Sequence, residues 1–141
     1  MMKYFWKKRG QRGFTLIELV VVLAILGILI ALAVPRYLGA RRGALIAEGD
    51  NVLQEIKTLA WAYYQQYGTF AGGGDATVLG FVAPPDDKGC WAYSFPSSTG
   101  ALISMRATGD STPAKCGPVN LATITLILNS DGSSARSQTL P

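Results

Sequence analysis

Histidine is absent from the 141 residues of this chain, and cysteine occurs only twice, at Cys90 and Cys116. Without histidine the chain has no imidazole base, no histidine metal ligand and no hydroxyl–histidine pair, which are the usual parts of a hydrolytic site. The sequence also lacks internal repeats and Asn-x-Ser/Thr acceptor sites. We therefore expect neither an enzyme nor a resident cofactor.

Charge is scarce and unevenly placed. Five of the 13 basic residues lie within the first 13 positions, and no acidic residue precedes Glu18. The rest of the chain carries eight basic residues against nine acidic ones, so it is close to neutral. The basic pI of 9.2 thus belongs to the leader and gives little support for nucleic-acid binding. Residues 68–141 carry four basic and five acidic side chains, so they give no further support for nucleic-acid binding.

A long apolar run follows the basic leader. Residues 14–34 contain one charged side chain, Glu18, and as a helix they would extend about 31 Å, enough to cross a bilayer. The basic leader predicts that the first residues stay in the cytoplasm and that the bulk of the chain lies outside. A carboxylate at the rim of such a helix costs up to about 3 kcal/mol, so Glu18 indicates a function.

The junction Gly-Phe-Thr-Leu-Ile-Glu between leader and apolar run resembles the prepilin signal of the type IV pilin family. The resemblance implies that a membrane peptidase cleaves after Gly13 and that Phe14 becomes the N-methylated first residue. Glu18 matches the glutamate at the fifth position of the processed family members. In a dry filament core its natural partner is the Phe14 ammonium of a neighbouring copy.

The same resemblance extends over residues 8–67. Gly27 and Pro35 fall where the family has helix-loosening residues, and we expect a kink or melted turn at Pro35, because it cannot donate to the carbonyl of Ala31. In a filament the segment from Gly27 to Pro35 should be less regular than in the membrane.

We therefore expect a structural subunit of a type IV pilus-like filament. The implied partners are further copies of the chain, the inner membrane, the prepilin peptidase and the pilus assembly machinery. The implied locations are the inner membrane for precursor and subunit pool and the cell surface for the filament. The sequence does not distinguish roles in motility, adhesion and DNA uptake. It also does not distinguish a major pilin from a minor one.

Other readings remain. A pseudopilin of a type II secretion system would share the same junction. A membrane-tethered ligand-binding domain with an unprocessed anchor would share the apolar run but not need Glu18. A secretory signal peptide, cleaved after Ala31-Leu32-Ala33, would have a shorter apolar core and no glutamate within it.

Helical periodicity continues beyond the apolar run. Apolar side chains recur at intervals of three, four or seven and predict a buried stripe. A helix over residues 14–67 should end at Gly68, which can close it in the left-handed conformation. The predicted stripe consists of Leu45, Val52, Ile56, Leu59 or Ala60, Tyr63 and Tyr67.

The distal part favours strands, which predicts an α+β fold with a small antiparallel sheet on the helix. The predicted strands are residues 91–95, 101–107, 121–128 and 134–139, with a turn at residues 96–100. The predicted organisation is a cleaved leader, a membrane or filament-core helix, the amphipathic half of that helix and a β-sheet head. These are residues 1–13, 14–35, 36–67 and 68–141, with 36–141 forming one globular domain.

Both cysteines fall in the part predicted to be exported, so a Cys90–Cys116 disulfide is expected, with two free buried thiols as the alternative. Pseudopilins can bind calcium, and Asp86, Asp87 and Asp131 are conceivable ligands. Their spacing matches no calcium loop, and we expect them to be solvated loop acids.

Overall fold

The computed structural model describes residues 13–83, 89–110, 116–117, 119 and 121–139. Helix α1 runs over Leu16–Tyr67 and is followed by four β-strands. The chain forms two compact units, one ending at Arg36 and the other beginning at Tyr37. The first unit is helical from Leu16 onward, and the second contains the rest of α1 and the whole sheet.

In the first unit, α1 is helical through both Gly27 and Pro35. No melted turn is present at either residue, although Pro35 has no N–H for the carbonyl of Ala31. The lower regularity that we expect between these residues concerns a filament and stays a prediction.

In the second unit, α1 buries one stripe made of Gly49, Leu53, Ile56 and Ala60. The predicted stripe was therefore partly wrong. Leu53 was not in it but is fully buried, and Tyr67 was in it but is 58% exposed. Intervals of three and four fit more than one face of a helix, and only the position of the sheet selects among them.

The helix ends where the sequence predicts. Its last residue is Tyr67, and Gly68 follows with φ of 69°. The N–H of Gly68 donates to the carbonyl of Tyr64 at 2.7 Å, which satisfies one of the carbonyls left open at the helix end.

The sheet is antiparallel with strand order β1-β2-β3-β4, so each strand pairs with its neighbour in sequence. This confirms the predicted α+β class. Its strands are β1 (Trp91–Ser98), β2 (Leu102–Gly109), β3 (Thr123–Asn129) and β4 (Ser134–Thr139).

One predicted turn was misplaced. β1 continues past Pro96 to Ser98, whereas the sequence predicted a turn from residue 96 onward. The pairing register with β2 shifts between Ser94 and Ser97. A proline lacks the N–H for a regular ladder but is accepted at a bulge and on an edge strand, and β1 lies at the edge of the sheet.

The core of the second unit lies between α1 and one face of the sheet. Alternate side chains of β3 are buried there, and so are those of β2, with Ser104 as an additional buried residue. The main core residues are Leu53, Ile56, Phe70, Ile103, Met105, Ala107, Ile124, Leu126 and Leu128.

Candidate functional site

The start of α1 is closed by a reciprocal pair of side chains, Thr15 and Glu18. The Thr15 N–H donates to Oε2 of Glu18 at 2.9 Å, and the Thr15 hydroxyl donates to the same oxygen at 2.8 Å. In return, the N–H of Glu18 donates to Oγ1 of Thr15 at 3.3 Å. This is a capping box, with Thr15 as N-cap and Glu18 at the third helical position.

The capping box fixes where the Glu18 carboxylate points. Oε2 receives both hydrogen bonds from Thr15, whereas Oε1 accepts none from the described residues. A negative charge also suits the first helical turn, where the backbone dipoles leave a partial positive charge. Glu18 therefore has a local role in α1 and still offers one oxygen to a further donor.

Sequence reasoning placed Gly13, Phe14 and Glu18 at this site but missed Thr15. The structure brings all four together, because they lie within the first turn of α1 or directly before it. The signal for Thr15 was present, since threonine followed three residues later by glutamate before an apolar run is the signature of a capping box. Gly27 and Pro35 lie farther along α1, away from this group.

The apolar part of α1 has no partner in the described chain. Its large side chains from Leu16 to Val34 are between 47% and 81% exposed, and Phe14 is 87% exposed. By length and composition α1 is able to cross a membrane. Monomeric soluble proteins rarely expose an apolar surface of this extent, so it indicates a binding surface for lipid or protein.

The predicted disulfide is confirmed. Cys90 and Cys116 are joined, with their Cα atoms 5.4 Å apart. Cys116 is fully buried, and the guanidinium of Arg41 on α1 lies against the adjacent Gly117. The cross-link thus holds the chain before β1 to the segment that leads into β3, inside the second unit.

Three polar contacts between α1 and the sheet were not predicted, and two of them involve Trp91 and Arg136. The indole Nε1 of Trp91 donates to the carbonyl of Leu45 at 2.8 Å, and its ring covers Gly49 so closely that a Cβ there would lie 2.7 Å from Cε2. The second contact is a bidentate ion pair in which Arg136 of β4 donates to both oxygens of Asp50 at 2.7 Å. Both pairs are far apart in sequence and carry no local signal.

Tyr93 on β1 stands beside these contacts and meets Phe81 edge-on, with ring centroids 5.8 Å apart. Partial burial, with a smaller effect of the Glu48 carboxylate, raises the pKa of Tyr93 to about 12. Its hydroxyl is therefore neutral at physiological pH.

The acids considered for calcium give no metal centre in the part of the chain that can be described. Asp86 and Asp87 lie outside the described residues. Asp131 accepts the N–H of Ser133 at 2.8 Å, and hydrogen bonds from Ser133, above all from its hydroxyl, lower the pKa of Asp131. Within the described ranges, no three His, Cys, Asp or Glu residues are grouped as metal ligands.

Comparisons with known proteins agree with the geometry of the junction. The prokaryotic N-terminal methylation motif matches residues 8–34. A fimbrial protein of Neisseria meningitidis serogroup B is 32% identical over 100 residues, covering 71% of this chain and 58% of that protein. The chain thus spans little more than half the length of this relative.

Two further likenesses differ in weight. The crystal structure of the Neisseria meningitidis non-core minor pilin PilV gives a TM-score of 0.44 at 22% identity, over 70% of this chain and 88% of that one, which is too low for an argument. The type IV major fimbrial protein FimA of Dichelobacter nodosus is 30% identical over 111 residues, covering 76% of this chain and 69% of FimA. On the strength of that match and of the methylation motif, the chain belongs to the type IV pilin family.

Proposed function

We propose that this chain is a structural subunit of a type IV pilus-like filament and that it assembles through the apolar part of α1. The observation that carries the proposal is the exposure of that surface together with a single carboxylate at its start. This surface is not stable in water, because each large apolar side chain left exposed loses roughly 1.5–3 kcal/mol of burial free energy. Lipid covers it in the subunit pool, and the same surface of other copies covers it in the filament.

Maturation precedes assembly. The prepilin peptidase cuts after Gly13, and the amine of Phe14 is then methylated. The leader's basic residues hold residues 1–13 in the cytoplasm, so a subunit that kept them could not be drawn out of the inner membrane. Removal of the leader leaves one positive charge, on Phe14, close to the negative charge on Glu18.

Glu18 then has two functions that do not conflict. One carboxylate oxygen caps α1 through Thr15, and the other is available to the Phe14 ammonium of an adjacent subunit. Such a contact joins the same two patches in every successive copy without closing a ring, and contacts of that kind build helical filaments at the cell surface.

The test is the identity of the first residue in assembled material. Filaments sheared from cells that express the chain are examined by electron microscopy, and their subunits are analysed by N-terminal sequencing and intact mass. We expect Phe14 as the first residue, with one added methyl group. A Gly13 variant that blocks cleavage should stay in the membrane with Met1 retained and without filaments, whereas Gly10→Ala, also in the leader, should assemble normally.

Each rival gives a different result. Filaments whose subunits begin at Met1 or Val34 contradict the proposed maturation. A processed subunit that forms no long surface fibres in its own host indicates a pseudopilin of a type II secretion system. A chain that keeps its leader and never polymerises is a tethered domain with an unprocessed anchor.

A further inference from the structure

The face of the sheet that points away from α1 carries an unusual set of side chains. The pairing register places them in two adjacent cross-strand rows of that face, and we call these eight residues the outer face. The first row is Ala92, Thr108, Thr123 and Thr139, and the second is Ser94, Arg106, Thr125 and Ser137.

Hydroxyl groups dominate the outer face. Six of its eight side chains are Ser or Thr, none is acidic and none is aromatic. With strands about 4.8 Å apart and the rows two residues apart, the hydroxyls form an array of about 14 Å by 7 Å. Apart from Ser104, which shares the face of Arg106, the buried residues of β2 and β3 point to the opposite side, toward α1.

One charge stands within this array. Arg106 is exposed, and its guanidinium makes no hydrogen bond or ion pair with any residue that the structure describes. The other basic side chain of the sheet, Arg136, is held by Asp50 on the α1 side. The nearest acid along β2 is Asp110, four residues beyond Arg106 and past the end of the strand, or roughly 13 Å away.

We propose that the outer face is a docking surface for an anionic polysaccharide. A guanidinium binds a sulfate or carboxylate through two parallel hydrogen bonds, and this pairing is the strongest polar contact that the face offers. Serine and threonine hydroxyls both donate and accept, which matches the hydroxyl groups of a sugar chain on either side of its charge.

Other macromolecules fit the outer face less well. A DNA duplex presents one negative charge about every 1.7 Å of its axis and is bound by clusters of cations, whereas this face has a single cation. Single-stranded nucleic acid is bound on aromatic platforms, which the outer face lacks. Protein partners usually need a buried aromatic or large apolar anchor, and none of the eight side chains is one; Ile127 lies only in the next row of the same face.

Affinity comes from repetition, and in this respect the inference rests on the proposed filament. A single site with one charge is weak. A polysaccharide that reaches the outer faces of many subunits binds them together, because each further contact forms at a high effective concentration. The ligand is therefore a polymer with widely spaced charges.

The experiment uses sheared filaments, and their presence is checked first by electron microscopy. Filaments are passed over immobilised heparin, which is sulfated, polygalacturonate, which is carboxylated, dextran, which is neutral, and double-stranded DNA. We expect retention on at least one anionic polysaccharide, elution by salt and no retention on dextran. Heparin and polygalacturonate show which anion the face prefers.

Variants locate the binding. Arg106→Gln should raise the polysaccharide concentration needed for half-saturation about tenfold or more. Lys57→Gln is the matched control, because it removes the same charge on the α1 side, where Lys57 donates to Ser134 at 2.9 Å, and it should bind like the parent chain. The double variant Arg106→Gln with Thr125→Arg returns a guanidinium to the neighbouring strand of the same face and should restore most of the binding.

The inference is overturned by unchanged binding of Arg106→Gln, by equal retention on dextran, by preferential retention on DNA, or by no retention on either anionic polysaccharide. Failure to form filaments contradicts the proposed function instead. The full chain in detergent is then coated densely on beads and tested with the same columns, where the same outcomes decide the inference.

Discussion

The two parts of α1 show how one helix can be built for two different surroundings. In residues 16–34 the apolar side chains point in every direction and all are exposed. In the part that follows Tyr37, only one stripe is buried, and the other faces carry polar groups. A helix that is apolar all round requires apolar surroundings on all sides, whereas an amphipathic one needs a single covering layer.

The partners differ accordingly. The second part finds its partner within the chain, because the four-stranded sheet covers the stripe of Leu53, Ile56 and Ala60. The first part has no such partner among the described residues. An apolar surface of this extent indicates binding to lipid or protein, which is why we place assembly there and folding in the second unit.

We expect the largest effect on filament formation from Glu18, the only charged residue in residues 16–34. Glu18→Gln should leave cleavage and membrane insertion intact but abolish or strongly reduce filaments. Without the carboxylate, the Phe14 ammonium enters a dry core unpaired, at about 3–5 kcal/mol per subunit. Membrane fractionation, N-terminal sequencing and counting of fibres by electron microscopy measure the three steps.

A control separates the two functions of Glu18. Thr15→Ala removes the hydroxyl of the capping box, worth about 1 kcal/mol, but keeps the carboxylate. It should still form filaments. Equal loss of filaments in both variants means that Glu18 matters as a helix cap, and normal filaments from Glu18→Gln refute its role in assembly.

The second prediction contrasts a leucine from each part. Leu53 is fully buried and Leu26 is 47% exposed. Leu53→Ala should destabilise the second unit by about 2–5 kcal/mol, because it leaves a cavity beside the sheet. Leu26→Ala should leave the unfolding midpoint of that unit unchanged. Thermal unfolding of the full chain in detergent, followed by near-ultraviolet circular dichroism, compares them, and equal shifts would show that the two parts fold as one.

The third prediction uses two glycines of α1. At Gly49 an added Cβ would meet the ring of Trp91 at 2.7 Å, whereas at Gly43 nothing lies within 4 Å. Gly49→Ala should cost about 1–3 kcal/mol through overpacking. Gly43→Ala should be neutral or stabilise α1 by about 1 kcal/mol, since alanine is the better helix former. The same unfolding experiment measures both, and a stabilising Gly49→Ala would contradict the contact with Trp91.

The smallest effect concerns the ion pair between α1 and β4. The side chains of Arg136 and Asp50 are 39% and 28% exposed, so Asp50→Asn should cost no more than about 1 kcal/mol. The hydrogen bond from Arg136 to Asp50 raises the pKa of Arg136 above its unfolded value. Stability from that shift is fully present below the unfolded pKa and is lost only in strong base.

The difference in unfolding midpoint between the parent chain and Asp50→Asn should therefore be the same at every pH from 7 to 9. A gap between the two that closes as the pH rises within this window would contradict the assignment. Raising the salt concentration should narrow the gap instead, because the pair is partly exposed.

The local features of the fold could be predicted from the sequence. β4 has the predicted bounds, α1 ends before Gly68 as predicted, and Cys90 pairs with Cys116. Each depends on a short signal: a turn sequence before the strand, a glycine that accepts positive φ, and the only two cysteines of the chain, in a segment that is predicted to be exported. The capping box at Thr15 was equally readable and was overlooked.

The features that sequence reasoning could not supply are long-range. The residues around Gly49 do not predict that Trp91 packs on it, and those around Asp50 do not predict the ion pair with Arg136. The partners in each pair are separated by the whole connection between helix and sheet. The same holds for the outer face, where Ser94, Arg106 and Thr125 become neighbours only through strand register.

The sequence alone determined the junction at Gly13, the length of the apolar run and the position of the single carboxylate in that run, since a short motif and a long apolar run are local in the chain. Tertiary structure decided which stripe of α1 is buried, that Gly49 must stay small and which hydroxyls surround Arg106. The physical reason is the same in each case: helical and strand periodicity allows several faces, and only the packing of α1 against a sheet of fixed register selects one of them.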